Sequence, residues 1–145
     1  MHAAKDLATN ERRQQTYQLI AELKLERLTV WSLYSEIANL KPFTVHPDIK
    51  QKLNQFLQLL IDYISLGHFG VYERVLSGTE RRDRILLVAY EIFPDLSITT
   101  QVAELFNEKY EHLEDFEDLE KDLSVLGENL ALRSDLEDKL CKLLM

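Results

Sequence analysis

One stretch of this chain concentrates residues that can carry charge or move a proton: Asp62-Tyr63-Ile64-Ser65-Leu66-Gly67-His68-Phe69-Gly70-Val71-Tyr72-Glu73-Arg74. His68 and Glu73 are of the types that serve as general acid and base, with the Tyr72 phenol beside them. No nucleophile with a placed base and no set of metal ligands accompanies them, so catalysis is not expected from the pair. Gly67 and Gly70 lie between helical patterns, where a glycine costs about 1 kcal/mol relative to alanine. Two of them three apart imply either a helix break with a local core of Phe69 and Tyr72, or a backbone that something approaches closely. Taken as function, the stretch is a polar and aromatic knuckle that meets a partner.

Arg133 and Glu137 form the second candidate, a polar pocket. Four residues apart in a helical pattern, they can pair. They continue the line Leu119, Leu123, Leu126, Leu130, while the apolar stripe drifts to Leu132, Leu136, Leu140 and Leu143. A charged pair on that line implies a polar lining in or beside a bundle, which with Asp62, His68 and Tyr72 could accept a small ligand. Other chemistry is missing. His2, His46, His68 and His112 are scattered, and no zinc spacing, nucleotide loop or nucleophile elbow is present. The single cysteine, Cys141, sits among leucines and permits no disulfide within the chain, which points to a reducing cytoplasm. No enzyme, cofactor or metal site is expected.

The elements that must position these residues read as helices. Residues 1–8 are expected to be flexible, and a long helix runs from about Thr9 to Leu40 with two apolar seams. One seam is Tyr17, Ile20, Leu23, Leu28, Trp31, Tyr34 and Ala38; the other is Leu19, Val30, Leu33 and Ile37. An exposed seam here would permit a homodimer. Lys41-Pro42 and His46-Pro47 break the helix, with His46 and Asp48 as capping residues. A second helix, Pro47 to Ser65, buries Ile49, Leu53, Phe56, Leu57, Leu60 and Ile64, leaving Asp62 outward and Tyr63 to one side. Val71–Leu76 continues as a short helix, Ser77 and Glu80 match a capping box, and the next helix ends near Phe93-Pro94. A further helix from Ser97 or Thr99 to Leu113 leads through an acidic junction, Glu114 to Asp122, into a last helix from Phe116 to Leu144. Strand-like alternation is confined to short runs. The expectation is an all-α, single-domain bundle of five or six helices over residues 1–145, organised around long first and last helices.

With 145 residues, 46% hydrophobic content and a net charge of −8, the chain has enough apolar material for a core and is too acidic for a general nucleic-acid binder. No segment reads as a secretory signal or as long enough to span a membrane.

The run Leu60-Ile61-Asp62-Tyr63-Ile64-Ser65-Leu66-Gly67-His68-Phe69-Gly70-Val71-Tyr72-Glu73-Arg74-Val75 closely resembles the signature of the Rsd/AlgQ family. So do Leu123-Ser124-Val125-Leu126-Gly127-Glu128-Asn129-Leu130, Arg133 and Leu136-Glu137-Asp138-Lys139-Leu140, in the same order. The likeness runs from about residue 10 to the end. The first helix matches in character rather than residue by residue, and the chain ends at Leu143-Leu144-Met145 where relatives tend to carry a further tail. The resemblance implies an anti-sigma factor that binds the C-terminal, −35-reading domain of the primary sigma factor of bacterial RNA polymerase. It would block promoter and core-polymerase contacts and favour alternative sigma factors, as in stationary phase. Carried over by position, Asp62, Tyr63, His68, Phe69, Tyr72 and Glu73 are partner-binding residues, joined by Trp31 and Glu36 on the long helix. Asp62 and Glu73 would pair with sigma arginines or lysines, and Phe69 would fill an apolar recess. The resemblance also implies a second partner class, a phosphocarrier or alarmone enzyme for which the protein would act as an adaptor. Neither nucleic acid nor membrane is expected as a partner, and the protein is expected as a monomer or weak homodimer. An acidic protein suits the basic surface of a DNA-reading domain: charge steers the encounter and buried aromatics supply affinity.

Overall fold

The computed structural model describes residues 2–43, 47–73, 83–112 and 114–144, with the backbone alone at 2–10, Arg12 and Phe69. Its elements are α1 (His2–Ala38), α2 (Ile49–Ser65), a π-helical segment (Leu66–Tyr72), α3 (Asp83–Glu111) and α4 (Leu119–Leu144). The all-α reading holds, and no strand occurs among the described residues.

Each helix packs on the next and α4 returns to α1, which closes a four-helix bundle. Neighbours run antiparallel. On α1 and α2, Tyr34 meets Phe56 while Leu23 lies near Gly67; on α3 and α4, Tyr110 bonds Asp122 while Thr99 bonds Arg133. The helix 2 stripe is buried as expected, from Ile49 through Ile64. On α1 the buried residues Ile20, Leu23, Val30, Leu33 and Ile37 come from both seams, whereas Tyr17 and Leu28 are exposed. A helix touching α2 on one side and α4 on the other needs one broad stripe, not two separate faces. Aromatic rings tie the α1, α2 and α3 faces together: Trp31, Tyr34, Phe56 and Phe106 follow one another at centroid distances of 5.3, 6.2 and 6.2 Å. Gly127 lets α1 come close to α4. Tyr34 donates to the Leu123 carbonyl at 2.7 Å, and a Cβ at Gly127 would run into that hydroxyl.

Three expected boundaries differ. Helix 1 begins at His2, not Thr9. The chain does not break at Gly67 and Gly70; it stays helical by widening to a π-helix, in which the Glu73 N–H donates to the His68 carbonyl. Two helices expected on either side of Pro94 are one, so the described helices number four. Proline removes one backbone donor, but tertiary packing of Ile92 and Leu96 holds both halves on one core. The expectation that no segment is long enough to span a membrane comes from reading two helices here; joined, α3 is long and apolar enough to do so by length and composition alone, and 28% of its most apolar stretch is buried in the bundle. The Ser77–Glu80 capping box, the end of the expected 71–76 helix, Arg81, Arg82 and His46 lie outside the described residues.

The acidic junction is partly neutralised from α3. Asp122 accepts from the Tyr110 hydroxyl at 2.5 Å and the Lys109 ammonium at 2.7 Å, and Lys109 also reaches Asp118 at 3.4 Å. Burial pushes the Asp122 carboxyl up, but its bonds to Lys109 and Tyr110 outweigh that and hold it below the usual aspartate range. Below the unfolded pKa of about 3.9 the unfolded chain therefore binds the extra proton. The stabilisation is present above that value and is lost as pH falls through the folded pKa. Asp122→Asn should lower the urea midpoint at neutral pH and leave it unchanged at the acid end; an equal shift at both pH values would rule out this linkage.

Candidate functional site

The buried line of α4 continues where the drift to Leu132 is expected. It passes from Leu126 and Leu130 through Arg133 and Glu137 to Leu140, and Leu132 is left exposed. Arg133 is fully buried and Glu137 nearly so. Arg133 Nε donates to Glu137 Oε2 at 3.1 Å, the expected pairing four residues on. Its Nη1 donates to Thr99 Oγ1 at 3.2 Å and Thr100 Oγ1 at 2.8 Å, and Nη2 to the Ile64 carbonyl at 3.4 Å. Ile64 lies two residues before the helix widens. Glu137 Oε1 accepts from the Tyr63 hydroxyl and from Arg27 Nη1 at 3.3 Å. Arg27 is also held by Asp138 at 2.8 Å and the Ser134 carbonyl at 3.3 Å.

Every helix contributes to this cluster, so it fixes their mutual register. Burial, then the Glu137 charge, pushes the Tyr63 phenol far up, so Tyr63 is a neutral donor. Burial also raises the Glu137 carboxyl, against the pull of Arg133, Tyr63 and Arg27. Gly67 sits on the cluster: a Cβ there would stand 3.0 Å from both Arg133 Nη2 and Glu137 Oε2. The gap between Gly67, Leu23, Tyr72, Leu96 and the ion pair opens about 10 Å³ to the centre of a water molecule. That is room for one water and not for a metabolite.

Above this floor lies the exposed ridge of α2 and the π segment, where the sequence-expected contact residues separate into two flanks and an interior. Asp62 is exposed on the α1 flank, accepting from Gln58 at 3.1 Å. Glu26 of α1 faces it. One Glu26 carboxylate oxygen is buried without a hydrogen-bond partner, and burial, then Asp62 and Glu22, raise its pKa. On the α3 flank, His68 Nε2 stands 3.8 Å from Glu73 Oε1, and the exposed Glu73 closes the segment. His68 stacks on Tyr72 at 6.2 Å, and Tyr72 stacks on Phe93 of α3 at 5.7 Å.

Tyr63 and Tyr72 are interior. Tyr72 donates to the Ala89 carbonyl at 2.8 Å, so both phenols support the ridge from below. The Phe69 backbone belongs to the π segment, and its side chain lies outside the described atoms. Glu36 belongs to the other end of the bundle, whereas Trp31 sits midway: α1 sets Tyr34 against Phe56 and Leu23 near Gly67, which brings Trp31 to about the level of residue 59 on α2. Trp31 is half-buried edge-on to Tyr34, and Glu36 lies 3.7 Å from Lys52, which is about 15 Å along α2 from Asp62 at 1.5 Å per residue. Sequence reasoning missed Glu22, Glu26, Arg27 and Phe93. Glu22 and Glu26 are four apart, a weak signal, because only the packing of α1 on α2 carries them to Asp62.

Residues 4–145 match the family model described as "Regulator of RNA polymerase sigma(70) subunit, Rsd/AlgQ". Over 100 residues, 66% of this chain, the sequence is 36% identical to "Regulator of sigma D" of Shigella boydii serotype 4. The proteins of that name from Shigella dysenteriae serotype 1 and Escherichia coli strain K12 are 35% identical over the same length. The matched stretch spans 63% of the length of these curated relatives. No solved structure matches the chain significantly.

Proposed function

The chain belongs to the Rsd/AlgQ family of regulators of the RNA polymerase sigma(70) subunit, and from that premise we propose that it is a cytoplasmic, non-enzymatic anti-sigma factor. It binds the C-terminal, −35-reading domain of the primary sigma factor, covers the surface that meets promoter DNA and core polymerase, and leaves core enzyme to alternative sigma factors. The observation that carries this reading is the two-flanked acidic ridge. Glu22, Glu26 and Asp62 line one side and Glu73 the other, on a chain of net charge −8.

A DNA-reading helix presents arginines and lysines to phosphates. Laid across the ridge, those cations would meet carboxylates instead. A cation beside Glu26 would satisfy its unpaired oxygen and relieve the crowding with Asp62. His68, half-exposed over the Tyr72–Phe93 stack, offers a firm aromatic contact between the charges. In this arrangement Tyr63 and Tyr72 hold the ridge and do not touch the partner, Trp31 stands at its α1 margin, and Glu36 lies beyond it.

Co-elution of the full chain with the C-terminal domain of the primary sigma factor, at low and high salt, tests this. A one-to-one complex that weakens with salt is expected. Asp62→Lys combined with Glu73→Lys should weaken it roughly tenfold or more, about 1.4 kcal/mol per tenfold, and flatten its salt dependence. Glu36→Lys should leave it intact. Absence of a complex at either salt would remove the reading, and an undisturbed complex in the double variant would move the interface off the ridge.

A further inference from the structure

We propose that the outward face of α3 is a self-association surface, on which a second copy of this chain docks antiparallel about the level of residue 96. The inward face of α3 is occupied by the core from Ile85 to Tyr110. The opposite line, Leu87, Glu91, Pro94, Ile98, Gln101 and Leu105, is exposed throughout. Its spacing alternates four and three, the seam of a helix that packs against another helix. Its three large apolar members are unusually bare: Leu87 is 65% exposed, Ile98 52% and Leu105 64%. Tyr90 flanks the seam, equally open. The other large exposed hydrophobics, such as Leu25 and Leu28 on α1 or Val125 and Leu132 on α4, form pairs and not a line of this length.

The occupant follows from the order of residues along the seam. Reversed about residue 96, the line meets itself: Leu87 falls opposite Leu105, Pro94 opposite Ile98, and Glu91 opposite Gln101. Apolar residues face apolar ones in two layers, and in the third a carboxylate faces a carboxamide that can donate to it. A two-fold pair repeats each layer twice, which is the self-complementarity an isologous interface requires.

Area and charge set its strength. The strip exposes roughly several hundred Å² of apolar surface, short of the ~800 Å² per partner of a standard interface. Two copies of net charge −8 repel each other, and Asp95 lies one residue from the axis, near its counterpart. The dimer is therefore weak and strengthens with salt. That is opposite in sign to the proposed sigma complex, and the salt dependence of the dimer stands whether or not the sigma reading does.

Sedimentation equilibrium of the full chain, over a loading series at low and high salt, reads this directly. The average mass should rise from 17.0 kDa toward twice that value with loading, further at high salt. Ile98→Lys and Leu105→Glu should each hold the protein monomeric with an unchanged circular dichroism spectrum, and Leu28→Glu should leave the rise intact. Asp95→Cys should give a disulfide-linked dimer under mild oxidation, since the natural Cys141 is buried. A monomer at every loading and salt overturns the proposal, whether or not the protein co-sediments with phospholipid vesicles through α3. So does a dimer abolished by Leu28→Glu but not by Ile98→Lys, which would place the interface on α1.

Discussion

Glu137→Ala is expected to cost about 3–5 kcal/mol of stability, the usual range for breaking one side of a buried ion pair. For a domain of this size that corresponds to a fall in Tm of roughly 10–20 °C. The reason is what remains behind. Arg133 would keep Thr99, Thr100 and the Ile64 carbonyl but lose the carboxylate that balances its charge, with no exposure to water. The Tyr63 hydroxyl would lose its acceptor, and Arg27 would be left to Asp138 and the Ser134 carbonyl. Paired replacement, Arg133→Met with Glu137→Met, should recover most of the loss. Desolvating two charges costs nearly as much as their attraction returns, and two methionines bury similar volume without that cost. Urea melts of the single and double variants decide it. A single variant within about 1 kcal/mol of the natural protein would show that water reaches Arg133. A double variant no better than the single would show that the cluster's remaining polar groups, not the pair, dominate.

Gly67→Leu should be the other severe change, costing about 3 kcal/mol or more by overpacking, whereas Gly70→Ala should change stability by less than about 1 kcal/mol. A Cβ at Gly67 already stands 3.0 Å from both members of the ion pair, and neither can step aside without losing a bond. A leucine there would push the π segment off α1 and α4. At Gly70 the tightest neighbour is Leu66 Cδ1 at 2.9 Å, the end of a flexible side chain that can rotate away. Urea midpoints test stability, and sigma binding by the still-folded fraction tests the ridge. Because the ridge rests on Gly67, the Leu variant should bind more weakly even where it is folded, with Asp62 and Glu73 untouched. Equal midpoints for the two glycine variants would remove the close-approach explanation.

These predictions mark where one-dimensional reasoning stopped. Periodicity was enough for helix class, for the α2 stripe from Ile49 to Ile64, and for the Arg133–Glu137 pair, because each depends on residues three or four apart in one helix. The motif from Asp62 to Glu73 was likewise enough to place the chain among sigma regulators, as the family match over residues 4–145 shows. Of the two readings of the glycine pair, the close approach holds at Gly67; the helix breaks expected at the glycines and at Pro94 failed for a common reason. Both carry local costs, about 1 kcal/mol for a glycine and about 3 kcal/mol for a proline, and tertiary packing exceeded those costs, through Ile92 and Leu96 in one case and the floor beneath Gly67 in the other.

The residue types, helical periods and signature of this protein are properties of neighbours along the chain, and the sequence by itself determined them. Only the tertiary structure decided that Tyr63 and Tyr72 face inward, that Glu26 stands beside Asp62, that Arg27 and Tyr63 converge on Glu137, and that the barest apolar line belongs to α3 and not α1. Each of these depends on which helix lies against which and at what rotation. That rotation is set by the fit of side chains across several interfaces at once, so no single helix carries the information to specify it.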